Sequence, residues 1–257
     1  GISQRRVATL CSEGRIEQAA FVGNMWVIPE DAKKPQDGRS LRYVKSSGQI
    51  VKPFLKWAGG KGQLLKQIER YYLFADGKVT KYAEPFVGGG AVLFDILSHY
   101  DVKEVYISDI NVELINSYCM IREHVDSLIS SLSAMQSEFV PMDIERRKIY
   151  YIDKRKRFNE LKVNSNESEN IEKAALMIFL NKTCFNGLYR VNRRGLFNVP
   201  LGSYKNPLIC DKENLQGVSE KLKKVTIVCG DYRESASFID KNTFVYFDPP
   251  YRPITET

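Results

Sequence analysis

Two consecutive prolines, Pro249 and Pro250, directly behind the apolar run Thr243-Phe244-Val245-Tyr246-Phe247 fix where a strand of this chain must stop. Proline offers no backbone N–H and holds the residue before it extended, so a ladder cannot continue through Asp248-Pro249-Pro250-Tyr251. A run that is apolar nearly throughout reads as a buried strand, and fully buried strands belong to parallel sheets covered by helices. Such sheets bind ligands beyond the carboxyl ends of their strands. The turn there is poor in donors and rich in acceptors, Asp248 and nearby main-chain carbonyls, which suits a neutral amino group with two hydrogens to give.

Other segments repeat the pattern. Tyr82-Ala83-Glu84-Pro85-Phe86-Val87-Gly88-Gly89-Gly90 runs from a short strand into a helix expected over Ala91 to Leu97, and its glycines let the backbone approach a ligand at the helix N-terminus. A second strand, Glu104-Val105-Tyr106-Ile107-Ser108, delivers Asp109 about 20 residues after the last glycine, the spacing at which an acid meets ribose hydroxyls. The competing structural role for Asp109 is N-cap of a helix over Val112 to Arg122. Further helices are expected over Ser127 to Glu138, Ile144 to Lys162 and Ile171 to Leu180. Val225-Thr226-Ile227-Val228-Cys229-Gly230-Asp231-Tyr232 reads as another buried-strand run, ending at the acid Asp231. Alternating helices and strands make the class α/β. Gly60-Lys61 invites a phosphate-loop reading, but Leu55 and Gly62 stand where that loop needs a glycine and a hydroxyl.

The chain of 257 residues carries 38 basic against 31 acidic residues, a net charge of +7 that points to a polyanionic partner if it clusters. It does so in Asn181 to Lys205, where Lys182, Arg190, Arg193, Arg194 and Lys205 interleave with Phe185, Tyr189, Phe197 and Tyr204 and no acid intervenes. A glycine-containing loop of that composition can hold phosphates and stack on bases. The run Lys154-Arg155-Lys156-Arg157 lies among acids and reads as a solvated helix face. Five widely spaced cysteines without a Cys-x-x-Cys pair read as reduced thiols in a cytoplasmic protein, and two histidines leave little for a metal centre or a Ser-His-Asp triad. No run approaches the length of a membrane span.

Near the N-terminus, Ser3 should cap a helix over Gln4 to Leu10, and Phe21 to Ile28 reads as a hairpin around Gly23-Asn24. This segment resembles the second helix and wing of an excisionase-like winged helix-turn-helix without its first helix. Lys33 to Gly48 is polar and breaker-rich, as a linker is.

Taken in order, Phe54-Leu55-Lys56-Trp57-Ala58-Gly59-Gly60-Lys61, Glu84 to Gly90, Asp109-Ile110-Asn111, the segment Asn181 to Gly202 and the Asp-Pro-Pro-Tyr turn resemble a Dam-type DNA adenine methyltransferase, of the alpha-ordered amino methyltransferases. The resemblance covers nearly everything from Pro53 to Tyr251. It implies a Rossmann-like methyltransferase sheet with helices on both faces, a mainly helical target-recognition domain and the small N-terminal winged-helix remnant. The corresponding boundaries are 1–35 for the remnant, 36–50 for the linker, 51–122 and 215–257 for the catalytic parts and 123–214 for recognition. The family pattern continues past Tyr251, so the second catalytic part is expected to lack its closing strands.

The resemblance further implies S-adenosyl-L-methionine as methyl donor, held at Trp57, Lys61, Glu84, Phe86, Gly88, Gly90, Asp109, Ile110, Asp231, Tyr232 and Asp248. It implies duplex DNA as substrate, a flipped adenine stacked on Tyr251, catalysis by Asp248, Pro249, Pro250 and Tyr251, and no metal. DNA contacts fall to Phe185, Asn186, Leu188, Arg190, Arg193, Arg194 and Pro200. GATC is the expected site, with Arg190 reading guanine and Arg193 and Arg194 on phosphates. A companion restriction endonuclease fits the same resemblance. The alternatives are an inactive DNA-binding regulator on this fold, and an enzyme acting on cytosine N4 or another adenine context.

Overall fold

The computed structural model describes residues 4–12, 14, 16, 18–23, 25–29, 31–32, 49–57, 59–74, 77–164 and 166–250. The chain forms two compact units, 1–44 and 45–257. In the first, helix α1 (Gln4–Ser12) precedes an antiparallel ribbon of β1 (Ala20–Val22) and β2 (Met25–Val27), with Phe21 opposite Trp26. Leu10, Cys11 and Ile16 form its small core against Val7, Ala19, Trp26 and Ile28. The expected cap Ser3, residue Asn24 of the hairpin turn and the linker residues 33–48 lie outside the described residues.

The second unit opens with the short helix α2 (Leu65–Ile68) and then alternates strand and helix: β3 (Lys81–Glu84), α3 (Ala91–His99), β4 (Glu104–Asp109) and α4 (Val112–Phe139). Helices α5 (Ile144–Asn164), α6 (Asn170–Thr183) and α7 (Lys212–Leu222) follow, and β5 (Val225–Cys229) and β6 (Thr243–Val245) complete the sheet. All strand pairs are parallel, in the order β5-β4-β3-β6. The chain builds outward from β3 through β4 to β5 and then returns to the other side of β3. A reversal of that kind opens a crevice at the carboxyl edge, here beside the ends of β3 and β6.

Burial separates the strands. Val105 to Ser108 of β4 are buried in succession, as are Tyr82 to Glu84 of β3, which is the signature of a sheet covered on both faces. β5 and β6 flank the sheet and are only part-buried, so the expectation of full burial fails for both runs, and the Phe244 ring of β6 packs against Tyr82 and Phe74. The last bond on that side is the Tyr246 N–H to the Ala83 carbonyl, 2.9 Å, directly before the proline turn.

The two helices expected over 112–122 and 127–138 are one, α4, with a non-helical residue at His124 (φ −135°, ψ 38°) where the reading placed a break. Asn111, not Asp109, caps it: its side chain accepts the Leu114 N–H at 2.9 Å. Helix α6 packs along α4, with Phe179 edge-on to both Phe139 and Tyr150. Among the described residues no helix is long and apolar enough to cross a membrane, and all five cysteines are unbridged.

Candidate active site

A cavity of about 440 Å³ lies where β3, β4 and β6 end. Its lining includes Glu84 from the end of β3, Asp109 from the end of β4, Asp248 and Pro250 beyond β6, and Trp57 and Lys61 from the segment before α2. Phe86, Gly88, Gly90 and Ile110 complete the set, so nine of the expected cofactor residues share one wall with the proline turn. The volume falls in the range of small-molecule sites, about 300–1,000 Å³.

The glycine turn is shaped by its neighbours. Gly90 begins α3 at φ 70°, and a Cβ there would lie 2.5 Å from the Tyr118 hydroxyl; at Gly88, φ 47°, it would lie 2.8 Å from the Trp57 ring. Trp57 can therefore reach over the turn only because the turn has no side chains. Gly90 brings no capping side chain to α3, and the Glu84 carboxyl accepts the Leu93 N–H in its place. Asp109 accepts the Gly88 N–H at 3.2 Å and the Asn111 N–H at 2.9 Å. Burial raises its pKa, and the N–H groups of Asn111, Gly88 and Ile110 counter that. A half-buried carboxylate held rigid by backbone donors is well placed to accept hydroxyl hydrogens.

Glu84 and Asp248, at the ends of neighbouring strands, have different environments. Glu84 is fully enclosed, and desolvation first, opposed by the Tyr82 hydroxyl (2.7 Å) and Leu93 N–H and reinforced by the charge of Asp248, pushes its pKa up to about 8. Asp248 instead has the Lys61 ammonium at 2.7 Å, and Lys61 also donates to the Gly59 carbonyl at 3.0 Å. Burial therefore favours the neutral form of Glu84, while the Asp248 side chain faces the Lys61 ammonium at the cavity. Tyr251 lies outside the described residues.

Asp231 and Tyr232 do not line the cavity. Asp231 caps the 3-10 turn Tyr232–Ser237 in a capping box with Glu234 and forms an ion pair with Arg233 at 2.7 Å, which lowers its pKa. The carboxylate that the sequence reading assigned to a ligand thus serves a local cap. Tyr232 stacks on the cavity residue Phe86 with centroids 5.4 Å apart, and Phe247 sits against both rings, so this aromatic group borders the site from outside.

The basic-aromatic segment begins one turn later than expected, because Asn181 and Lys182 belong to α6, where burial disfavours the Lys182 charge. Phe185 is 52% exposed, on a turn where Asn186 and Gly187 both have positive φ, 54° and 65°. Leu188 is exposed beside it. A hairpin then joins Val191 to Phe197, with Arg193 and Arg194 at its tip and the Asn192 side chain accepting the N–H groups of Arg194 (2.9 Å) and Leu196 (3.1 Å). The Arg190 Nε donates to the Asn198 side chain at 2.9 Å, which fixes the plane of the guanidinium. Pro200 follows Val199, whose carbonyl accepts from Tyr151 and Arg155. Of the run 154–157, Arg157 pairs with Glu169 and Glu172, in keeping with a solvated face.

The reading missed the contact between Lys56 and Tyr204. Lys56 lines the cavity, and its ammonium donates to the Tyr204 hydroxyl at 3.2 Å, so the pair joins the cavity to the end of the basic-aromatic segment. Lys56 lies inside the quoted block Phe54 to Lys61, but a contact across 148 positions has no local signal.

Comparison with known proteins gives a consistent picture. The family described as D12 class N6 adenine-specific DNA methyltransferase matches residues 57–257. The Type II methyltransferase M.MjaIII of Methanocaldococcus jannaschii is 52% identical over 209 residues, covering 80% of this chain and 71% of that protein. The Type II methyltransferase M1.LlaDCHI of Lactococcus lactis subsp. cremoris is 39% identical over 209 residues (80% and 68%). A DNA adenine methylase of Vibrio cholerae is 34% identical over 204 residues (79% and 66%).

Proposed function

We propose that this chain, which belongs to the D12 class N6 adenine-specific DNA methyltransferase family, methylates the exocyclic N6 of adenine in duplex DNA, within GATC, with S-adenosyl-L-methionine as donor. One observation carries the reading: Asp109, the glycine turn and Asp248 border the same cavity, so a nucleoside-bearing donor and an amino acceptor can meet there.

The residues suit the donor. Asp109 is an acceptor for ribose hydroxyls, while Lys61 and the N-terminus of α3 favour a carboxylate. Trp57 offers a π-face to a cationic or apolar part. When bound, S-adenosyl-L-methionine supplies an electrophilic methyl group on a sulfonium. Asp248 and a carbonyl of the Pro249–Pro250 turn accept the two hydrogens of the target amine and hold its lone pair toward the cavity. As the methyl carbon passed from sulfur to nitrogen, the C–S electron pair would stay on a neutral thioether and the amine would give up a proton, for which Asp248 is the acceptor. Preorganised acceptors and positioning supply most of the rate.

An adenine inside a duplex cannot reach this crevice, so the base must leave the stack, and Tyr251 would stack on it. Exposed Phe185 would fill the space left behind. Arg190, with its plane fixed by Asn198, meets guanine O6 and N7 through its terminal nitrogens. Arg193 and Arg194 at the hairpin tip hold phosphates. The test is incubation with donor and plasmid, then digestion by nucleases that sense adenine methylation at GATC. Protection at GATC supports the reading, and methylation confined to cytosine or to other contexts refutes it.

A further inference from the structure

Residues 51–57 belong to no helix or strand, so their peptide groups need partners that no neighbouring strand supplies. Two asparagines supply them in the same way, four residues apart along the segment. Asn214 of α7 accepts the Lys52 N–H at 2.9 Å and donates to the Lys52 carbonyl at 3.0 Å. Asn181, in the last turn of α6, accepts the Lys56 N–H at 2.9 Å and donates to the Lys56 carbonyl at 2.8 Å.

The two clips differ in one respect. The second amide hydrogen of Asn181 goes to the Gly187 carbonyl at 2.8 Å, so one side chain, 2% exposed, ties Lys56 to the turn that presents Phe185 and Asn186. The contact is close: a Cβ on Gly187 would lie 2.5 Å from the Lys56 side chain. A second strut runs alongside. Trp57, the next residue and part of the cavity wall, stacks on Tyr189 with centroids 5.3 Å apart. The Tyr189 hydroxyl donates to Glu113 at 3.0 Å and accepts from Lys162 at 2.8 Å, which fixes the ring.

We propose that Asn181 is a positioning residue that joins the cavity wall at Trp57 and the DNA-facing turn 185–187 into one block. Donor affinity and sequence discrimination are then set together, by a group that touches neither ligand. The inference rests on the function proposed above. Aspartate at this position would keep the shape while aiming oxygens at two carbonyls, so it is the sharper substitution.

The test compares wild type, Asn181→Ala, Asn181→Asp and Asn214→Ala. Each is measured for S-adenosylhomocysteine binding by calorimetry, for methylation of a GATC duplex against duplexes with one base pair changed, and for Tm. Loss of Asn181 should weaken analogue binding and reduce discrimination by about tenfold each, and aspartate should do at least as much. Asn214→Ala should lower Tm while leaving discrimination within about twofold, because its clip does not reach the recognition turn. Equal effects of Asn181→Ala and Asn214→Ala on discrimination, or neither property changed by Asn181→Ala, would overturn the proposal. If Asn181→Ala does not fold, Asn181→Ser, which keeps one hydroxyl partner, carries the same comparison. A wild type that transfers no methyl group to any duplex removes the underlying reading and this inference with it; an active wild type with indistinguishable variants removes this inference alone.

Discussion

Gly90 and Gly195 sit in turns of nearly equal backbone conformation, φ 70° and 74°, yet their surroundings are opposite. A Cβ at Gly90 would meet Tyr118 at 2.5 Å and Phe94 at 3.0 Å, whereas at Gly195 it would meet nothing within 4 Å. The first turn is held by the core, and the cavity inherits that rigidity. The second is held by its own Asn192 bonds and is open around the glycine. The cavity wall is thus built on packed elements, and the basic hairpin is built on its own local bonds.

The largest expected effect comes from breaking the rigid side. Gly90→Ala should cost about 1–2 kcal/mol in left-handed backbone strain and about 1–3 kcal/mol in overpacking. Denaturant unfolding and calorimetry should show lowered stability and weakened donor binding together. On the open side, Arg190→Ala should reduce discrimination at guanine by about 1–3 kcal/mol while donor affinity stays the same. Competition between duplexes checks this, and unchanged discrimination would remove Arg190 from base reading.

Glu84 sharpens the contrast by pH. Its carboxyl sits at about 8 in the fold against 4.5 ordinarily, so the native state keeps a proton that the unfolded chain loses. Its contribution is full below pH 4.5, declines as pH rises and is lost above about 8. Glu84→Gln should flatten the fall of stability across that window, as urea midpoints at several pH values would reveal. The smallest effect should be Gly195→Ala, which carries only the strain of about 1–2 kcal/mol and should leave donor binding untouched. Equal losses of donor affinity in Gly90→Ala and Gly195→Ala would erase the distinction between the two turns.

Much of this arrangement was legible in the sequence because its signals are local. A proline pair ends β6, glycines precede α3, and Asp109 closes β4, all within short windows whose meaning follows from backbone chemistry. Asp231 carries two local signals at once. Asp231-Tyr232-Arg233-Glu234 follows the end of β5 and is also a capping box, a use that the strand-end reading did not include. Asn111 took the cap expected of Asp109 by two positions, which spared Asp109 for the cavity. What stayed hidden is long-range: Asn181 on Lys56, Tyr189 between Trp57 and Glu113, and Lys56 with Tyr204. These pairs form only after α6 and the segment before α2 have packed, and no spacing rule encodes them.

The most direct measurement is transfer of a tritiated methyl group to two duplexes that differ only at the adenine of a single GATC, unmodified in one and N6-methylated on both strands in the other, by wild type and Asp248→Asn. The account predicts label in the unmodified duplex alone, and about 10²–10³-fold slower transfer by the variant with DNA binding retained. Equal labelling of both duplexes, or full activity of Asp248→Asn, would contradict it.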